Sequence, residues 1–133
     1  MATDLENIEK LLARFKRQIP KGKQYEQRLV EEFELILNLR FTDYFLQICD
    51  IIDLTTDLTH MTRGSAGSSL VCYLLGITDV DPIKWKIPVA RFMNPLRDDL
   101  PDVDIDFENW RQLEVMNRIF KKWPGMTARL SNY

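Results

Sequence analysis

The sequence predicts an α+β domain in which a small sheet is covered by helices, and three observations carry that prediction. Residues 101–107, Pro-Asp-Val-Asp-Ile-Asp-Phe, alternate acidic and apolar side chains at the two-residue period of a strand. Residues 25–39 and 41–54 instead repeat their apolar positions at the spacing of helices. Residues 63–70, Arg-Gly-Ser-Ala-Gly-Ser-Ser-Leu, form a small-residue turn that enters another helix.

In chain order, a helix is predicted over residues 3–15. Thr3 and Glu6 form a capping box, and Leu5, Ile8, Leu11, Leu12 and Phe15 make one apolar stripe. Arg14, Lys16, Arg17, Lys21 and Lys23 cluster around Pro20-Lys21-Gly22. They read either as a favourable helix C-terminus with a solvated linker, or as a contact to a phosphate backbone. Gly22 divides a helical N-terminal extension, residues 1–22, from the remainder, residues 23–133.

The helix over 25–39 turns Tyr25, Leu29, Phe33, Ile36 and Leu37 inward and leaves Glu31, Glu32 and Glu34 as a solvated face. The next helix starts near Thr42 or Asp43 and is densely apolar, with Phe45, Ile48, Cys49 and Ile52 among its core residues. Residues 54–62 are rich in threonine, as strands are, and lead into Arg63. Ser65 or Ser68 is expected to cap a helix that runs to Leu75 and ends at Gly76. Asp81-Pro82 opens a short helix, and residues 87–95 are a turn-rich connection carrying Arg91. A last helix over 110–121 places Leu113, Met116, Ile119 and Phe120 together, and Trp123-Pro124-Gly125 stops it.

With 133 residues, 45 % of them hydrophobic and 29 % charged, the chain has the make-up of a globular domain. A net charge of −2 argues against a module that grips duplex DNA by itself. No apolar run approaches a membrane span, and the N-terminus has no signal-peptide pattern, so the expectation is a cytoplasmic protein without a membrane partner. Cys49 and Cys72 sit in apolar contexts and read as buried thiols in a reducing compartment.

The chemistry concentrates in residues 63–107. Asp102, Asp104 and Asp106 place like charges on one strand face, where they repel unless a cation neutralises them. The alternatives are a solvated acidic edge and a divalent-cation site. A calcium loop is excluded, because Phe107 and Leu113 stand where its glycine and glutamate belong. At the turn, the first backbone N–H groups of the helix are expected to be free, and the helix dipole favours an anion there. A phosphate cradle beside paired carboxylates is what metal-assisted phosphoryl or nucleotidyl transfer requires. His60 is the only histidine and reads as a surface or packing residue, since one imidazole does not make a metal site.

Six stretches carry a family resemblance: Arg63-Gly64-Ser65, residues 75–82 (Leu-Gly-Ile-Thr-Asp-Val-Asp-Pro), Arg91-Phe92-Met93-Asn94-Pro95, residues 101–107, and upstream residues 25–29 and 41–46. They resemble the palm domain of C-family DNA polymerases, the bacterial replicative DNA polymerase III alpha subunit, which is similar to the polymerase beta type of nucleotidyltransferase. The resemblance implies a DNA-directed DNA polymerase of DNA replication. It assigns catalysis and Mg²⁺ binding to Asp102 and Asp104, with Asp106 a further acid at the metal or in support of it. Arg63, Gly64, Ser65 and Arg91 would meet a deoxynucleoside triphosphate, although Arg63 also suits a brace for the aspartates.

A third aspartate of the two-metal site lies far beyond the first pair in that family. The expectation is therefore that another chain supplies it, that primer-template DNA binds only with that chain, and that this chain alone is inactive. The different-class alternative is a non-catalytic module, derived from the palm, that binds or inhibits a replication partner. Three positions depart from the family pattern. His60-Met61-Thr62 replaces Gly-Pro-Gly, Gly67 stands one place early, and Ala90 replaces an acid.

Overall fold

A computed structural model describes residues 3–57, 60–63, 65–94, 96, 101, 103–107 and 112–124, with the backbone alone for 60–63, 104, 106, 107 and 112. Helix α1 spans Asp4–Ala13. Thr3 caps it, its hydroxyl oxygen accepting the Glu6 N–H at 3.1 Å. Of the expected stripe, Leu11 is buried and Ile8 and Phe15 pack against the core, whereas Leu5 is 69 % exposed and Leu12 42 %. Asn7 joins the inward face. The buried Asn7 amide donates to Thr42 Oγ1 at 3.1 Å and to Asp43 Oδ1 at 2.9 Å, while the Thr42 hydroxyl donates to Asp4. These bonds seat α1 on the start of α3 (Thr42–Leu54).

Helix α2 (Lys23–Leu39) ends where Arg40 adopts φ 60°, a left-handed conformation that stops the right-handed helix. It packs on α4 (Leu70–Leu74). Between these helices lies one continuous core built around Leu11, Ile36, Phe45, Ile52, Val71 and Cys72. Phe45 meets Tyr44 and Phe92 edge to face. Cys49 and Cys72 are buried as free thiols. Helix α5 (Gln112–Lys122) buries Val115 and Ile119 with Trp123 in a smaller cluster, leaving Leu113 71 % exposed. Arg118 ties α5 to the end of α3, donating to the Leu54 carbonyl at 2.9 Å and to both carboxylate oxygens of Asp57.

The expected small sheet covered by helices, of the palm type, is not what this chain builds. Among the described residues there are only two strands, β1 (His60–Arg63) and β2 (Asp104–Phe107), paired antiparallel. A two-stranded ladder of four-residue strands offers too little apolar face to form a layer that helices could cover. The core is made largely by helices, and Ile105 of β2 and the preceding Val103 pack against it. The body is helical, with the ladder at its edge.

Smaller expectations are corrected too. Residues 82–86 make consecutive turns rather than a short helix, because Lys86 leaves the helical region at φ 55° and the Ile87 N–H closes back on the Pro82 carbonyl. Among the described residues, no helix is long and apolar enough to cross a membrane.

Candidate functional site

Ladder register brings the two ends of the candidate stretch together. Arg63 is opposite Asp104, Thr62 opposite Ile105, and Met61 opposite Asp106. Asp104 and Asp106 thus occupy alternate positions of β2, as the strand period required. Asp102 and Gly64 lie outside the described residues. Both neighbours of Asp102 are anchored, however. The Pro101 carbonyl accepts the Tyr44 hydroxyl at 2.6 Å, and Val103 packs on the core.

After β1 the chain enters a 3₁₀ turn, Ser65–Ser68, which packs against a second 3₁₀ turn, Val89–Arg91. Ser65 is half-buried and Arg91 exposed. No described residue pairs with the Arg91 guanidinium. The arrangement therefore gathers Arg63, Ser65, Arg91 and Asp104 onto adjoining elements.

The helix that follows does not begin as expected. Its cap is Ser69, not Ser65 or Ser68, and the Ser69 hydroxyl oxygen accepts the Cys72 N–H at 3.1 Å. The backbone N–H groups of Leu70 and Val71 are not free either. They donate to the carboxylate of Glu32 at 2.7 and 3.0 Å, and the Ser69 hydroxyl donates to it at 2.7 Å. Glu32 already supplies the negative charge that a helix start favours, so the start of α4 is closed to phosphate. At the other end Gly76 takes φ 78° and ends the helix as expected.

Glu32 is a correction in its own right. Placed with Glu31 and Glu34 on a solvated face, it is in fact 0 % exposed. Its partner Arg28 donates through Nε at 2.9 Å, and Arg28 Nη2 donates to the carbonyls of Ser68 and Ile87 at 2.6 and 2.7 Å. Burial pushes the Glu32 carboxyl upward, against the pull of its hydrogen bonds from Ser69, Val71 and Leu70 and the charge of Arg28. The sequence held a signal for this placement. Tyr25, Leu29, Glu32 and Ile36 follow one another at spacings of four, three and four, which is the inward stripe of the helix.

The basic cluster near Gly22 is mostly committed to internal partners. Arg14 pairs with Asp50 and Asp53, and Lys16 with Asp53. Arg17 donates to the carbonyls of Tyr73 and Thr78 and to Asp79, and lies 4.3 Å from the centre of the Tyr73 ring. These three residues clamp α1 to the body, while Lys21 and Lys23 are exposed, as a solvated linker would have them. Two open grooves, of about 630 and 430 Å³, flank Arg28 along α2, and none of the predicted site residues lines them.

The chain is thus a helical domain that sets a strand carrying Asp104 and Asp106 against one carrying Arg63, with Arg91 on a turn packed against the turn that follows β1. Residues 5–130 match the family described as the bacterial DNA polymerase III alpha NTPase domain, and the chain belongs to that family. It is 44 % identical over 102 residues to the DNA polymerase III subunit alpha of Staphylococcus aureus (strain MRSA252), a match covering 74 % of this chain. It is 42 % identical over 104 residues to the protein of the same name from Staphylococcus epidermidis, covering 76 % of this chain. In both cases the match spans 10 % of the relative's length.

Proposed function

We propose that this chain is the nucleotide- and metal-binding part of a bacterial replicative DNA polymerase, a nucleotidyltransferase. The observation that carries the reading is the ladder register, which sets Arg63 opposite Asp104 while the Arg91 turn packs on the Ser65 turn. Residues far apart in sequence, each with chemistry suited to a metal–triphosphate, share one edge of the body.

Asp102 and Asp104 would hold Mg²⁺, with Asp106 beside them, since carboxylate oxygens suit a hard cation. An ion held there would offset the charge of the phosphates. Arg91, exposed and unpaired among the described residues, and Arg63 would take the triphosphate oxygens, where a planar guanidinium forms paired hydrogen bonds. Gly64 and Ser65 would border the phosphates. The amides at the start of α4 have no part in this, because Glu32 holds them. A further carboxylate from outside residues 1–133 would complete the two-metal site, and primer-template DNA would bind together with the part that carries it.

Arg91 gives the test. Arg91→Ala should weaken binding of dATP with Mg²⁺ by about 1.5–3 kcal/mol, and Arg91→Lys by less. Neither should move the melting temperature of the free protein by more than a few degrees, as for other surface changes. Unchanged nucleotide affinity in Arg91→Ala would remove the phosphate role. If the wild-type chain bound neither Mg²⁺ nor dATP, the non-catalytic interaction module would be the better account.

A further inference from the structure

Arg28 and Glu32 lie outside the residues assigned to nucleotide or metal, yet their contacts reach both turns of the candidate site. Glu32 holds Ser69, Leu70 and Val71, immediately after the Ser65–Ser68 turn. Arg28 uses one atom, Nη2, to hold the carbonyl of Ser68 on that turn and the carbonyl of Ile87. Pro88, with its fixed φ, links Ile87 to the Val89–Arg91 turn. The two side chains then close on each other through Arg28 Nε and Glu32 Oε2 at 2.9 Å. An apolar pair could fill the same space, but it could not hold two carbonyls from separate segments at one nitrogen.

We infer that Arg28 and Glu32 are positioning residues: the pair locks the Ser65–Ser68 turn to the Val89–Arg91 turn and so sets the spacing of Ser65 and Arg91. Its consequence for nucleotide rests on the reading proposed above; the mechanical coupling of the two turns does not. Shape and charge at this point are both specified by α2, so a helix remote from the acids fixes the geometry in which phosphate would be met. A buried ion pair of this kind contributes little net stability compared with well-packed apolar residues, and specifying one arrangement is its better-supported use.

The test variant is Arg28→Lys, which keeps a cation opposite Glu32 but loses the planar fork that serves three acceptors. Two measurements on the full chain are compared with wild type. The first is residue-resolved amide exchange without ligand, at Ser69, Leu70 and Val71 on one side and Ile87, Phe92 and Met93 on the other. Both groups should exchange about tenfold faster, with α3 unchanged. The second is the affinity for dATP with Mg²⁺, which should fall about fivefold while the melting temperature stays within a few degrees. Glu32→Gln, which keeps the shape and turns a donor toward the amides, should repeat the changes in exchange and affinity. Faster exchange in one group only, or in neither, overturns the coupling. Faster exchange in both with wild-type affinity overturns the positioning role. Should wild type itself fail to bind dATP while both groups loosen in Arg28→Lys, the nucleotide reading falls and the coupling stands.

Discussion

The carboxylate of Glu32 accepts the backbone N–H of Leu70 at 2.7 Å, across 38 positions of sequence. This one contact explains why an acid occupies the inward stripe of α2 and why the first amides of α4 are already engaged within the chain. Glu32→Ala would leave the Arg28 charge and two helix amides without their partner. It should lower unfolding free energy by about 3–5 kcal/mol, the usual cost of breaking a buried pair from one side. Glu32→Gln should cost about 1–3 kcal/mol. Equilibrium urea unfolding measures both, and a wild-type midpoint for Glu32→Ala would mean the carboxylate is not held as described.

Gly67 and Gly76 should respond in opposite ways to alanine. A Cβ on Gly67 meets only Val80 at 3.8 Å, an ordinary contact, and the backbone there has no left-handed φ. Gly67→Ala should therefore be neutral, or stabilising by about 0.4–1 kcal/mol through the unfolded state. Gly76 has φ 78°, and a Cβ there would lie 2.9 Å from the Lys16 side chain. Gly76→Ala should cost about 1 kcal/mol. Thermal melts of the two variants provide the comparison, and equal losses would contradict it.

The two thiols should be inert while the chain is folded. Burial pushes the Cys49 thiol up to about 11 and the Cys72 thiol further still, so almost no thiolate forms at pH 8. Titration with Ellman's reagent at pH 8 should be silent in buffer and give two thiols per chain in guanidinium. Rapid labelling of the native protein would contradict the burial of both thiols in the core.

What could be read from the sequence follows from the range of the forces involved. The start of α3 at Thr42, the Thr3 cap, the end of α4 at Gly76 and the strand through Asp104 all rest on local signals, and all were legible. The placement of Asn7 was not, and for Glu32 the stripe gave its side of the helix but not its partners, because a buried polar residue depends on groups supplied by α4 and α3, far away in the chain. The same distance hid the layer architecture. A strand pattern announces a strand, whereas how many strands pair is decided by other segments, and here the helices took the core. The acids and arginines of the candidate site stood out as residue types. Their meeting across the ladder needed the register.

The central claim is that Asp102 and Asp104 hold Mg²⁺ for a deoxynucleoside triphosphate. Its most direct measurement is the melting temperature of wild type and of the Asp102→Asn, Asp104→Asn double variant, each with and without Mg²⁺ and dATP. Wild type should melt higher with both ligands than without, by mass action. The double variant should fold, with repulsion along the strand relieved, and show no such rise. A double variant that responds to Mg²⁺ and dATP as wild type does would contradict the account.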